Sequence, residues 1–270
     1  MDWEATLDSY LSDWIASGRS VACGRIYCGV MRRWGRVPTL QEARSKIAEL
    51  APRPAAANEA RALKSFSRWW AEETDTADHL ARLKMPKTTE PAAPLTAKPS
   101  DVERLLSACT GEHSLRDRAL ITVAADTGLR RSELARMELE HVDTASGCIL
   151  VPRAKSGRPR IVPISSRSAR ALRRYLRVRG GAPGALWIGR KGPLTIDGIT
   201  QAFGRRSEAA GVLVTPHSLR RGFAVRWLTE GGSQASLQTI AGWSSGAMVT
   251  RYVRACSAEL ALDEARRLLG

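Results

Sequence analysis

A proline-rich segment divides this chain. Residues 86–99 read PKTTEPAAPLTAKP, with four prolines among small and polar residues. Proline fixes φ and lacks a backbone N–H, so such a stretch neither continues a helix nor enters the interior of a sheet. The segment predicts a linker at 89–99 between two separately folded parts, residues 1–88 and residues 100–270. A chain of 270 residues can supply two domains of ordinary size.

Residues 1–88 carry apolar side chains at helical spacing. The first stripe is Leu7, Tyr10, Leu11, Trp14 and Ile15. Thr39 followed by Glu42 predicts a capping box that opens the third helix, and Pro52 and Pro54 close it. The tryptophans on these stripes are interpreted as core packing rather than as platforms for bases. Together the stripes predict a bundle of four short helices.

Residues 100–270 combine helices with one hairpin. Ser100 with Glu103 predicts a capping box for the first helix. The stretch CILVPRAKSGRPRIVPI, residues 148–164, contains two β-rich runs around a Gly/Pro turn and predicts a hairpin with Lys155 at its tip. ALWI, residues 185–188, predicts a further short strand. The predicted fold class is mainly α with a small antiparallel β-sheet.

The charge is concentrated in the second part. Of 42 Lys+Arg and 27 Asp+Glu, 28 basic and 15 acidic residues lie after residue 90, whereas the first 90 residues are nearly neutral. Such an excess predicts a polyanionic partner. No apolar run approaches the ~20 residues of a membrane span, and MDWEATLDSY does not have the pattern of a signal peptide. We expect no membrane partner and a cytoplasmic location.

The five cysteines are scattered without a CxxC pair, and the chain has four histidines. This composition is typical of a reduced, cytosolic chain without a zinc site. The acidic residues after position 90 form no sequence cluster, which argues against a metal-dependent transposase. We therefore expect no metal and no cofactor.

The candidate chemistry lies between Thr215 and Tyr252. This stretch holds a histidine and an arginine in an H-x-x-R pattern, but two other sites, at 79–82 and 113–116, have the same pattern. The copy at 217–220 differs in its context, since Thr215-Pro216 is a helix start and Gly242-Trp243 and Tyr252 follow.

TGLRRSEL at 127–134, the hairpin lysine, HSLR at 217–220, GWS at 242–244 and Tyr252 nine residues after Trp243 together resemble the tyrosine recombinase (phage integrase) family. The resemblance spans residues 95–257. It implies a two-domain clamp on DNA, with residues 1–88 as the helical core-binding domain and residues 100–270 as the catalytic domain. It also implies a site-specific recombinase that acts through a 3′-phosphotyrosyl intermediate.

The same resemblance assigns the site residues. The catalytic set is Arg130, Lys155, His217, Arg220, Trp243 and Tyr252, with Glu133 orienting Arg130. Trp243 stands where many members have a second histidine, and an indole can donate a hydrogen bond but cannot shuttle a proton. The expected DNA contacts are Arg131, Arg153, Arg158, Arg160, Arg221, Arg251, Arg32, Arg33 and Lys64.

The chemistry of these residues suits attack on a phosphodiester, independently of the resemblance. Two guanidiniums can fork onto the nonbridging oxygens of a phosphate and hold the charge of its transition state. A tyrosine with a pKa of ~10 is ionised in about one molecule in a thousand at neutral pH. Ionising the phenol therefore costs roughly 4 kcal/mol, which interactions with neighbouring cations must offset. Because the covalent link conserves the phosphoester, neither ATP nor a metal is required.

The expected partners are double-stranded core sites, other copies of the chain (a dimer per site and a tetrameric synapse) and an accessory directionality factor. The last helix, 257–269, docks either on its own domain or on a neighbour. Since residues 1–88 are used by the core-binding bundle, we expect no separate arm-binding domain. Phage or mobile-element integration is the favoured role, in a bacterial or phage-infected cell and at the nucleoid. The alternatives are a chromosome-dimer resolvase, a type IB topoisomerase and a non-catalytic DNA-binding protein.

Overall fold

The computed structural model describes residues 2–87, 95–152, 159–243 and 245–269. The chain divides into two compact units, Met1–Ala93 and Pro94–Gly270, at a point inside the predicted linker. Helices predominate, accompanied by small antiparallel sheets in the second unit, which confirms the predicted fold class. Among the described residues, none of the helices has the length and apolar character needed to cross a bilayer.

Unit 1 contains the four predicted helices. They are α1 (Trp3–Ala16), α2 (Val21–Trp34), α3 (Leu40–Leu50) and α4 (Pro54–Glu73). The capping box before α3 is present, because the Thr39 side chain accepts the Glu42 N–H and the Glu42 carboxylate accepts the Thr39 N–H at 2.8 Å. Pro54 takes the first position of α4, where a missing N–H has no cost.

Aromatic rings form the centre of unit 1. Phe66 is fully buried, with the rings of Trp3, Tyr10 and Trp69 at 5.4, 5.0 and 5.4 Å between centroids. Trp70 lies nearly parallel to Phe66. The tryptophans therefore pack the core of the bundle, as the stripes predicted.

Unit 2 is built from eight helices, a 3₁₀ turn and five strands within its described residues. They are α5 (Pro99–Ser107), α6 (Ser114–Thr127), α7 (Arg131–Ala135), the 3₁₀ turn Leu139–His141, β1 (Val142–Asp143), β2 (Cys148–Val151), β3 (Arg160–Pro163), α8 (Ser166–Arg179), β4 (Ile188–Gly189), β5 (Gly192–Pro193), α9 (Ile196–Ala210), α10 (Pro216–Thr229), α11 (Gln234–Ala241) and α12 (Gly246–Leu269). The predicted capping pair at α5 was wrong. Pro99 is the first helical residue, so the N-cap is Lys98, whose N–H donates to Asp101 at 2.9 Å.

The predicted hairpin is present as β2 and β3, which pair antiparallel from Cys148↔Pro163 to Val151↔Arg160, and β1 extends the sheet on the β2 side. Residues 153–158, which include the hairpin lysine, lie outside the described residues. The strand predicted in ALWI is shifted, since it comprises Ile188 and Gly189.

The structure separates the three H-x-x-R copies. Arg116 of the second copy is buried and donates to Asp117 at 2.9 and 2.7 Å, and Asp117 also pairs with Arg206. That copy is therefore part of the interior of unit 2. His79 and Arg82 of the first copy are exposed in unit 1. The third copy begins α10, where Thr215 caps the helix by accepting the Ser218 N–H.

Candidate active site

A cavity of about 560 Å³ in unit 2 brings the predicted residues together. It is lined by Leu129, Arg130, Arg131, Thr200, Thr215, Pro216, His217, Arg220, Trp243, Met248 and Tyr252. The lining includes the segment between α6 and α7, the start of α10, the segment after α11, and α12. Five of the six predicted catalytic residues thus share one cavity, and the sixth, Lys155, lies outside the described residues.

The C-terminal end of α11 anchors three arginines. The last carbonyls of a helix have no partners within the helix and carry its negative end. Here the carbonyls of residues 240, 241 and 242 accept hydrogen bonds from Arg160 at 2.7 Å, Arg220 at 2.7 Å and Arg130 at 2.8 Å, respectively. Gly242 caps the helix in the left-handed conformation at φ +63°. One helix end therefore sets the relative positions of the guanidiniums.

Arg220 is buried on α10, with 4% of its surface exposed. It donates to the carbonyls of Ala241 and Gly128, the latter being the left-handed cap of α6. Burial, and then the nearby charge of Arg130, lower the pKa of Arg220 to about 10. This pKa is still well above neutral, so the side chain stays cationic at neutral pH.

Arg130 is bonded to Glu133, the residue that the resemblance pairs with it. The Arg130 N–H donates to Oε2 at 2.8 Å and Nη1 to Oε1 at 3.1 Å, and its side chain remains 40% exposed. Burial alone would raise the pKa of Glu133, but hydrogen bonds from Arg160 and the Arg130 N–H, with their charges, hold it below its ordinary value. Glu133 is thus a buried carboxylate that stays ionised and pairs with Arg130.

Arg160 differs from its sequence-based assignment as a DNA-backbone contact. Its side chain is 10% exposed and turns inward. Nη1 and Nη2 donate to the two oxygens of Glu133 at 2.9 and 3.0 Å, and Nε donates to Ile240 O at 2.7 Å. All three guanidinium nitrogens therefore have partners inside unit 2, and Arg160 is not among the residues that line the cavity.

Trp243 contacts both a guanidinium and the candidate nucleophile. Its ring is stacked on Tyr252 with 5.1 Å between centroids and 14° between planes, and Arg220 Cζ lies 5.0 Å from the indole centroid. Both aromatic residues are buried, at 7% and 5% exposure. The indole fixes the phenol ring by packing, and it holds a cation over its face.

His217 is exposed at the first turn of α10 and faces the cavity. Although the residue as a whole is exposed, partial burial of its imidazole in the cavity, followed by the positive charges of Arg221 and Arg220, lowers its pKa below the ordinary value of 6.5. At neutral pH the imidazole is therefore neutral and can accept a proton or a hydrogen bond.

The pH dependence of DNA cleavage, the activity that the resemblance implies, should follow the protonation of His217. If His217 must be neutral, the single-turnover cleavage rate stays on a plateau at neutral pH and falls as the pH drops through a value below 6.5. His217→Asn should give a lower rate with no inflection in that range. Rates measured from pH 5 to 8 at saturating DNA test this, and an unchanged inflection in the variant would contradict the assignment.

The remaining predicted DNA contacts lie as follows. Arg131 is exposed on the cavity rim and donates to Thr200 Oγ1 at 2.8 Å, and Arg221 donates to Leu95 O at 3.2 Å. In unit 1, Arg32 pairs with Glu4, Arg33 with Glu59, and Lys64 Nζ donates to the carbonyls of Ala81 and Leu83. Arg153, Arg158 and the side chain of Arg251 lie outside the described residues.

The carbonyl anchors and the inward Arg160 are the parts that sequence reasoning missed. Backbone carbonyls carry no residue-specific signal, so only the left-handed glycines at 128 and 242 could have indicated them. A Cβ on Gly242 would lie 2.8 Å from Cζ of Arg160. The left-handed φ of +63° and this close approach both favour glycine at this position.

Gly242→Ala should therefore reduce DNA cleavage by more than its loss of folding stability accounts for. A left-handed alanine costs roughly 1–2 kcal/mol of stability, and the added methyl group must also displace the Arg160 guanidinium from Glu133. Gly231 is a matched control, since it has φ +86° and open space around its Cβ. We expect both alanine variants to lose similar stability in thermal unfolding, while only Gly242→Ala loses DNA cleavage beyond that effect. Equal cleavage by the two variants would contradict this.

Comparison with known proteins confirms the family that the sequence resembles. The family model described as "Phage integrase family" matches residues 96–259. Tyrosine recombinase XerA of Thermococcus kodakarensis is 33% identical over 181 residues, which are 66% of this chain and 64% of the relative. Tyrosine recombinase XerC of Pelobacter propionicus is 30% identical over 201 residues, or 70% of this chain and 62% of the relative. The chain thus spans a little less than two thirds of these curated relatives.

Solved structures share the fold. The Tn1549 transposon integrase in complex with transposon right end DNA has a TM-score of 0.74 at 21% identity and covers 98% of this chain and 99% of that one. A lambda integrase dimer bound to a core site has a TM-score of 0.73 at 19% identity, over 92% and 97%. Because the family model covers more than half of the sequence, the chain belongs to the phage integrase family of tyrosine recombinases.

Proposed function

We propose that this chain is a site-specific DNA recombinase that breaks and rejoins strands through Tyr252. The observation that carries the proposal is a single cavity lined by a phenol, two anchored guanidiniums and a neutral histidine. Tyr252 Oη attacks the scissile phosphorus, the bond to the 5′ oxygen breaks, and a 3′-phosphotyrosyl link and a 5′ hydroxyl result. A 5′ hydroxyl of the partner strand then reverses the step.

Each residue has a role that follows from its chemistry. Arg130 and Arg220 use part of their N–H groups on carbonyls, and their remaining donors bind the nonbridging oxygens, whose charge grows in the transition state. His217 accepts the phenol proton, or donates a hydrogen bond to the phosphate from its ring N–H. Lys155, at the hairpin tip in sequence, donates the proton that the leaving 5′ oxygen requires. These positive charges also favour the ionised phenol.

The finer role rests on the relatives. We propose integration and excision of a mobile element, in line with the integrase names of the structural neighbours. The curated relatives named XerA and XerC favour a second candidate, resolution of chromosome dimers. A recombination assay separates the two, because a resolvase joins two identical sites, whereas an integrase joins two dissimilar attachment sites.

The proposed partners are double-stranded DNA, a directionality factor and further copies of the chain, since lambda integrase is described as a dimer and as a tetramer on DNA. In the C-terminal part of α12, Leu262 and Leu269 are 60% and 88% exposed, and these side chains are candidates for contact with a neighbouring copy. Unit 1 is proposed to be the core-binding domain. The proposed location of the protein is the cytoplasm, where it acts on DNA at the nucleoid.

The direct test is covalent capture on DNA. Duplexes that bind the chain are selected from a randomised pool and given a nick beside the cleavage position, so that the released strand diffuses away and the intermediate accumulates. We expect a protein–DNA adduct that survives denaturation and forms without ATP. A chain that binds these duplexes tightly and forms no adduct on any of them would instead be a non-catalytic DNA-binding protein.

A further inference from the structure

Arg160 occupies a junction between three parts of unit 2. It is the first residue of β3 and pairs with Val151 across the hairpin that carries Lys155 five residues earlier in the sequence. Its side chain reaches Ile240 at the end of α11 and Glu133 on α7. A single guanidinium thus ties the hairpin strand to two elements that hold the candidate active site.

The contact with Glu133 is bidentate, the geometry in which an arginine binds a carboxylate most strongly. Nη1 lies 2.9 Å from Oε1 and Nη2 lies 3.0 Å from Oε2, and the same two oxygens also accept bonds from Arg130. Glu133 is 5% exposed, and a buried carboxylate is stable only when such partners surround it. Removing Arg160 would leave Arg130 to satisfy Glu133 alone.

The charge balance gives Arg160 a second effect. With two arginines on one carboxylate, the cluster keeps a net positive charge that faces the cavity through the 40% exposed side chain of Arg130. Without Arg160, Glu133 would neutralise Arg130 and draw it away from an incoming phosphate. The bond to Ile240 O also holds the helix end whose next carbonyls bind Arg220 and Arg130.

We propose that Arg160 is a positioning residue for DNA cleavage, which fixes Glu133 and the end of α11 so that Arg130 and Arg220 are held ready for the scissile phosphate. The inference rests on the proposed function, because it assigns the phosphate to those two arginines. It replaces the assignment of Arg160 to the DNA backbone, since the guanidinium turns inward to Glu133 and Ile240 and Arg160 does not line the cavity.

The test compares Arg160→Gln with a matched control, Arg167→Gln. This control substitution also removes an arginine charge and an ion pair. Arg167 and its partner Glu103, however, are both exposed and lie outside the cavity lining. Single-turnover cleavage is measured at saturating DNA, with DNA affinity measured separately. We expect Arg160→Gln to slow cleavage by about 10- to 100-fold, the cost of a misplaced catalytic group. Its affinity for DNA and the salt dependence of that affinity should equal those of Arg167→Gln.

A double-mutant cycle with Glu133 distinguishes positioning from general loss of structure. If Arg160 acts through Glu133, the variant Arg160→Gln/Glu133→Gln should cleave within about threefold of Glu133→Gln alone, because the two changes remove one shared interaction. Arg160→Lys retains the charge but cannot make the fork, so its rate should lie between wild type and Arg160→Gln. If Arg160→Gln does not fold, the cycle is run with Arg160→Lys.

Three outcomes would overturn the inference: cleavage by Arg160→Gln equal to that of Arg167→Gln, additive effects in the cycle, or a loss confined to DNA affinity with a salt slope lowered by about 1, the signature of a phosphate contact. Any of these leaves the proposed function intact, because the wild-type chain still forms its adduct. The absence of a wild-type adduct would instead refute the proposed function itself.

Discussion

Tyr252→Phe should bind its DNA site with wild-type affinity and form no covalent adduct. The substitution removes only the hydroxyl, so the ring keeps its stacking on Trp243, at 5.1 Å between centroids, and its buried position on α12. Without Oη no phosphotyrosyl bond can form, and the loss should be complete rather than partial. Binding is measured by mobility shift, and cleavage on the nicked duplex under denaturing conditions.

Tyr27→Phe is the control for this variant. Tyr27 lies in α2 of unit 1, outside the cavity lining, and its loss of a hydroxyl should leave adduct formation unchanged. A Tyr252→Phe protein that still accumulates adduct would show that another residue attacks the phosphate. In that event the cavity around Arg130 and Arg220 would need a different nucleophile.

Arg220→Gln should lower single-turnover cleavage by about 10²–10³-fold, the usual cost of one preorganised donor at a developing negative charge. Two consequences combine here. The phosphate loses a buried cation, and the Ala241 and Gly128 carbonyls lose a charged donor. Since Arg220 also lies over the Trp243 ring, the indole that stacks on Tyr252 loses a cation–π contact.

Arg220→Lys sharpens this test. Lysine keeps the positive charge, but its three donors lie on a single nitrogen, so they cannot reproduce the planar spacing with which the guanidinium contacts both carbonyls and a phosphate oxygen. We expect it to remain at least 10-fold slower than wild type, by roughly the value of one lost charge-assisted bond. Thermal unfolding of both variants separates lost catalysis from lost stability. Wild-type cleavage by Arg220→Gln would contradict the role of Arg220 in the mechanism.

Local signals in the sequence were sufficient for many elements. The Thr39 and Thr215 caps, the stop of α6 at Gly128 and the pairing of β2 with β3 all follow from short-range rules of capping and turn chemistry. The error at α5 had a local signal too, since Pro99 takes the first helical position and moves the cap to Lys98.

The partners of charged side chains were not predictable in the same way. Arg160 meets Glu133 across 27 residues and Ile240 across 80, so only the packed fold decides that it turns inward. The HSLR copy that ends at Arg116 has the same letters as the catalytic candidate, yet burial beside Asp117 makes it structural. Motif order and spacing distinguished the copies where the motif alone did not.

The most direct test of the central claim is identification of the residue that becomes linked to DNA. Wild-type adduct formed on the nicked duplex is digested with protease and nuclease, and the peptide carrying the nucleotide is sequenced by mass spectrometry. We predict a 3′-phosphotyrosyl bond on Tyr252, in the cavity with Arg130, His217 and Arg220. A nucleotide on Tyr10, Tyr27 or Tyr175, or on a residue other than tyrosine, would contradict the claim.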